Sequence, residues 1–212
     1  MSCKKKHSSW LARQRKDPYV ARSKENGYRS RASFKLLELN KSDRLFNPGM
    51  CVVDLGAAPG GWSQILTPLL GKKGRVIALD LLAMPELPNV EFMQGDFRSP
   101  EIRTKLSNSI AGQPVNWVIS DMAPNLSGMM SVDQPRIMEL AFEAWEFAEQ
   151  VLNQGGGFLV KVFQGEEIKP FVKILNQHFQ KVSIRKPAAS RSESREIFII
   201  AKQFKGRIDL PN

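Results

Sequence analysis

Apolar and polar positions divide the chain into short apolar runs separated by helix-length amphipathic stretches. Val52 and Val53 close the first run at Asp54, a glycine turn follows from Gly56 to Gly61 around Pro59, and residues 62 to 70 have helical spacing. A second run, residues 75 to 80, ends in Asp80. A third, residues 90 to 95, leads to Asp96, and a fourth, residues 117 to 120, leads to Asp121. Four consecutive predicted strands thus lead into an aspartate.

Helices are predicted over residues 30 to 45 and 100 to 111. Residues 135 to 153 are predicted as a helix from an apolar stripe that includes Ile137, Ala141, Trp145 and Ala148, which makes Trp145 a core residue. The glycines at 155 to 157 are expected to end that helix and open a fifth strand, residues 158 to 163, in which Lys161 interrupts four apolar neighbours. A lysine there is costly unless it is paired or used. Residues 166 to 179 read as a helix, residues 181 to 186 as a strand with one exposed face, and Glu196 opens a last strand over residues 197 to 201. The last two strands lie close enough to pair antiparallel. Strands alternating with helices in this order predict an α/β domain: a parallel doubly wound sheet with one reversed strand near its edge.

The glycine turn lets a backbone approach a ligand closely, and the first turn of the next helix offers free amide donors. It reads G-A-A-P-G-G, without the Lys-Ser/Thr ending of a P-loop and without the dinucleotide spacing G-x-G-x-x-G. This argues against ATP, GTP and, less strongly, NAD. Asp80 stands near the spacing of a ribose-binding carboxylate, and ligands of open α/β sheets bind outside the carboxyl ends of the strands, where all four acids fall. Any single one of them could instead cap the next helix.

Composition narrows the partner. The net charge is +10, and residues 1 to 31 hold ten Lys or Arg against Asp17 and Glu25. Trp10 and Tyr19 are interleaved with these cations, a mixture suited to phosphate contact and base stacking. Arg185, Lys186, Arg191 and Arg195 form a second basic patch around a Ser-rich loop. Nucleic acid is the expected partner. With 212 residues, 42% of them hydrophobic, one core is expected. No run reaches the roughly 18 apolar residues of a membrane span, and no signal-peptide core follows Lys4 to Lys6. A cytoplasmic protein without membrane contact is expected. Cys3 and Cys51 have no metal-ligand spacing with His7 and His178, so no metal site is expected.

The segments D-L-G-A-A-P-G-G-W-S-Q, D-M-A-P-N-x-S-G, V-K-V-F-Q-G and S-R-x-x-S-R-E, spread from about Arg29 to Ala201, resemble the bacterial FtsJ/RrmJ family. These are S-adenosylmethionine-dependent ribosomal RNA 2′-O-ribose methyltransferases. The resemblance implies a Rossmann-like class I methyltransferase fold, a seven-stranded mostly parallel sheet with one antiparallel strand and helices on both faces. It implies a domain over residues 29 to 212 behind a basic extension of residues 1 to 28. It also implies a tetrad of Lys35, Asp121, Lys161 and Glu196 around the ribose, with cofactor contacts at Gly60, Trp62, Asp80, Asp96 and Asp121. The implied substrate is a uridine of 23S rRNA in the assembled 50S particle, modified by a monomer. A tRNA 2′-O-methyltransferase and an inactive RNA-binding relative are the alternatives. Lys161 is the candidate base; if it stays protonated, it orients the 2′-oxygen.

Overall fold

Strands buried on both faces have no polar side to show, and their sequences are correspondingly apolar. Strand β1 (Cys51–Leu55) is buried at every position, and β2 (Arg75–Asp80) and β4 (Val115–Ser120) nearly so. The computed structural model describes residues 17–207 except 111 and 192. In it, these strands join β3 (Val90–Gln94), β5 (Leu152–Phe163), β6 (Phe179–Arg185) and β7 (Glu196–Phe204) in one seven-stranded sheet of order β3-β2-β1-β4-β5-β7-β6. Neighbours from β3 to β5 pair in parallel, whereas β7 runs antiparallel to both β5 and β6. The expected reversed strand is therefore β7, one place in from the edge.

Helices cover both faces. On one side α2 (Ala32–Asp43) and α3 (Gly61–Leu70) place Leu36, Leu39, Ile65 and Leu66 against Val52, Ile119, Leu159 and Phe198. On the other, α4 (Pro100–Ile110), α5 (Met130–Val151) and α6 (Ile168–His178) pack Leu106, Trp145 and Phe171 against Val53, Val118, Val160 and Ile199. Side chains of a strand alternate between faces. Phe158, Val160 and Val162 of β5 belong to the second layer and Leu159 to the first, so Lys161, in phase with Leu159, faces α2. On β7 Glu196 shares the phase of Phe198 and Ile200, and faces the same way.

Two elements depart from expectation. Helix α5 begins five residues before the predicted start at Pro135. Asp133 accepts hydrogen bonds from the backbone N–H groups of Ser127 (2.8 Å) and Gly128 (2.9 Å), folding the preceding loop back onto a turn that lies ahead of the proline. The glycines at 155 to 157 lie inside β5 rather than before it. A Cβ on Gly157 would stand 2.5 Å from the Trp117 ring, so the missing side chain is what lets β5 pair with β4 there.

Helix α1 (Pro18–Glu25) carries no apolar period, but Asp17 caps it by accepting from Tyr19 N at 3.1 Å, with Pro18 in its first turn. Tyr19 packs on Phe34, ring centres 5.4 Å apart, and Arg22 lies over both rings. Trp10 and the lysines and arginines before residue 17 lie outside the described residues. Among the described residues no helix is long and apolar enough to cross a membrane.

Gly157→Ala should cost about 1–3 kcal/mol through overpacking against Trp117, read as a lower denaturation midpoint with unchanged slope. Unchanged stability would show that Trp117 can move aside.

Candidate active site

The sheet order brings β1 and β4 side by side at the point where the chain changes direction of winding, so a crevice opens beyond their carboxyl ends. Gly56 adopts φ +78°, and a Cβ there would lie 2.7 Å from Met122 N, so the loops after β1 and β4 meet backbone to backbone. Gly60, at φ +100°, precedes α3 without any side-chain cap, leaving the first-turn amides available to a ligand. Trp62 sends its indole N–H to Ala32 O at 2.9 Å and buries its ring beside Phe198. Only its backbone can face the crevice.

Asp80 braces this loop. Its Oδ2 accepts from Ala58 N at 2.9 Å and its Oδ1 from Leu82 N at 2.8 Å, and each oxygen keeps a lone pair for a further donor. Asp96 lies beyond β3 and is occupied by Arg98, whose N–H and guanidinium donate to both carboxylate oxygens at 2.9–3.2 Å. Those bonds hold its carboxyl below the usual range. Asp80 is thus set against the glycine loop, while Asp96 is turned to a neighbour that a ligand must share or displace.

Asp54 is the least expected member. It is fully buried on β1, accepts from Ser63 Oγ at 2.7 Å through Oδ2, and has no partner for Oδ1. Burial first, then the charges of Asp121 and Asp80, push its pKa up to about 7. The carboxylates of Asp80 and Asp121 at one crevice repel a polyphosphate and favour a cation. An orphaned buried acceptor and a braced carboxylate with free lone pairs fit a ligand that carries positive charge and a ribose diol.

The four tetrad positions form two ion pairs on the α2 face of the sheet, buried at Lys35, Glu196 and Lys161 and half-buried at Asp121. Lys161 Nζ donates to Asp121 Oδ1 at 2.9 Å and to Asp121 O at 2.6 Å, and Asp121 N is fixed on Leu55 O at 3.0 Å. Lys35 Nζ lies 2.6 Å from Glu196 Oε1 and 5.8 Å from the centre of the Phe198 ring. Phe198 stands directly opposite Lys161 in the β5–β7 register, and Glu196 opposite Phe163. Residues opposed or two apart on one face are neighbours, so the pairs lie side by side at the mouth of the crevice.

Most of the second basic patch is used internally. Arg185 makes a bidentate pair with Asp43 at 2.9 Å, Arg191 Nε donates to Asp17 Oδ2 at 2.9 Å, and Lys186 Nζ donates to Ser194 O at 3.0 Å. Among the described residues Arg195 has no such side-chain partner. Asp17 and Ser190 were not legible as site residues, although Asp17-Pro18 is a helix-start signal, and Asp54 was legible only as one of the four strand-end acids. No group of three or more potential metal ligands occurs among the described residues.

A doubly wound sheet with its ligand crevice at β1 and β4, and with the reversed β7 beside β5, is a Rossmann-like methyltransferase fold. The model of the FtsJ-like methyltransferases matches residues 28–204, and the chain belongs to that family. A ribosomal RNA large subunit methyltransferase E from Alcanivorax borkumensis is 54% identical over 92% of this chain and 93% of its own length. Its Pseudomonas fluorescens namesake is 47% identical over 98% and 99%. The crystal structure of a Plasmodium falciparum protein assigned to the ribosomal RNA methyltransferases superposes with TM-score 0.78 at 30% identity, covering 85% of this chain and all of that one. The family implies a methyl donor.

The raised Asp54 pKa carries a sign. An acid protonated in the fold up to about pH 7 but ionised above about 4 when unfolded makes the protein lose stability as pH rises through that window. The loss is complete above the folded value, and for this fully buried group it is on the order of 4 kcal/mol. Asp54→Asn should flatten the dependence, and denaturant titrations at pH 5 and pH 8 measure it. An Asp54→Asn protein that loses as much stability between those two values as the parent would contradict the assignment.

Proposed function

We propose that the chain transfers a methyl group from S-adenosylmethionine to the ribose 2′-hydroxyl of a uridine in 23S rRNA, acting as a cytoplasmic monomer on the 50S particle. One observation carries the reading: two buried lysines, each paired with a carboxylate, stand side by side at the mouth of a crevice lined with carboxyl groups. The names of the large-subunit relatives support the RNA substrate. The uridine and the assembled particle rest on the family resemblance.

The donor supplies, when bound, an electrophilic methyl on a positively charged sulfur. Asp80 would hold its ribose hydroxyls, the amides of Gly61 and Trp62 its amino-acid end beside Gly60, whose own N–H is spent on Ala57 O at 2.7 Å, and Asp96 its base, with Arg98 displaced. Asp80 and Asp121 give the crevice the negative potential that a sulfonium prefers over a polyphosphate. The residues around the acceptor have two tasks. Lys35, held by Glu196, fixes the ribose, and alignment of this kind supplies much of the rate in a displacement. Lys161, an ammonium bonded to Asp121, orients the 2′-oxygen, and the Asp121 carboxylate takes its proton as the oxygen gains the methyl. The hydrogen bonds that Lys161 makes to Asp121 are the ones the hydroxyl would enter.

Incubation with labelled donor and large subunits, naked rRNA or tRNA is expected to label the large-subunit RNA. Lys161→Met should lower the single-turnover rate by roughly 10²- to 10⁴-fold while donor and RNA binding persist. A folded, RNA-binding Lys161→Met protein within a factor of a few of the parent would remove Lys161 from the chemistry. Labelling of tRNA alone would overturn the rRNA reading.

A further inference from the structure

The segment 187–191 between β6 and β7 holds no member of the tetrad, yet it touches the tetrad on one side and Asp17 on the other. Ser190 is buried, its N–H is fixed on Pro187 O at 2.9 Å, and its Oγ donates to Glu196 Oε1 at 2.9 Å. That oxygen is the one that receives Lys35 Nζ. The terminal torsion of a glutamate is broad and roughly two-fold. A second donor on the same oxygen removes that freedom and so fixes where Lys35 is held.

The segment is itself anchored from the N-terminal side. Ala189 O accepts from the Arg31 guanidinium, and Ala189 N donates to Glu38 Oε2 at 3.2 Å. Arg191 Nε and Arg31 Nη1 both converge on Asp17 Oδ2, at 2.9 and 3.1 Å. Asp17 is 8% exposed, and its other oxygen caps α1. A single buried carboxylate therefore ties α1, the start of α2 and the segment 187–191 together. Removing it would leave two guanidinium groups facing each other.

We propose that Ser190 is a positioning residue for Glu196, and that Asp17, by fixing Arg31 and Arg191, holds the segment from which Ser190 acts. The proposal rests on the methyl-transfer reading above. It makes α1 part of the catalytic unit: a truncation that removes Asp17 lowers the rate of transfer as well as the affinity for RNA.

The test uses the full chain, S-adenosylmethionine and unmethylated large subunits, with single-turnover rates at saturating RNA. The parent is measured first. If it transfers no methyl to RNA, the functional reading fails and the proposal falls with it. With an active parent, Ser190→Ala and the near-isosteric Ser190→Cys should each lower the rate about tenfold with binding of donor and RNA within about twofold, since small misplacements are amplified in a positioned reaction. Asp17→Asn should do the same. In a Glu196→Gln background Ser190→Ala should produce no further fall, because the two residues act as one unit. A merely structural serine would lower the rate equally in both backgrounds. Such additivity, or a rate within twofold of the parent in either folded Ser190 variant, would overturn the proposal alone.

Discussion

An ammonium inside a sheet is tolerated only with a carboxylate in reach, and the site is built from that constraint. Lys161 lies within an apolar strand at 7% exposure and Lys35 on a helix face at 8%. Each is held by one acid, Asp121 and Glu196 respectively. Removing either acid would strand a buried cation, a loss on the order of 3–5 kcal/mol for a pair of this kind. Replacing both pairs with apolar residues would cost the fold little or nothing by the same reasoning. Such pairs are weak as stabilisers, and what they provide is four polar groups in fixed places on one face of the sheet.

The sheet delivers those groups through its connectivity. Parallel pairing of β1, β4 and β5 puts the end of each strand at one edge, which brings Asp54, Asp121 and Lys161 to the same crevice. An all-parallel sheet would have presented the beginning of β7 at the far edge. Because β7 is reversed, its first residue, Glu196, pairs opposite Phe163 at the end of β5 and reaches Lys35 on α2. The antiparallel strand is therefore what closes the tetrad. The glycines serve the same end: Gly56 lets the β1 and β4 loops touch, and Gly157 makes room for Trp117 beneath the strand that carries Lys161.

The strands, their parallel order and the reversed final pair were legible because apolar runs bounded by turns report on strands buried on both faces. Lys161 was legible as an anomaly in such a run. Its partner came only through the family resemblance, which puts Asp121 in one tetrad with it, since Asp121 and Lys161 are forty residues apart in sequence and meet through the β4–β5 register. The start of α5 was placed too late because the apolar stripe begins only at Ile137, and nothing local announces that Asp133 gathers the amides of Ser127 and Gly128 into an earlier turn. The basic loop was read as one patch, but charge counts do not show which cations are spent on Asp17 and Asp43. Asp17 itself counted only as one of two acids among the N-terminal cations until the fold brought Arg31 and Arg191 to it.

That these groups act on a ribose oxygen rather than on a base is the central claim. Digesting the labelled RNA to nucleosides and identifying the product by mass spectrometry tests it most directly. The account predicts that the label is in 2′-O-methyluridine, with the added mass on the sugar fragment. Label in a base-methylated nucleoside, with an unmodified ribose, would contradict it.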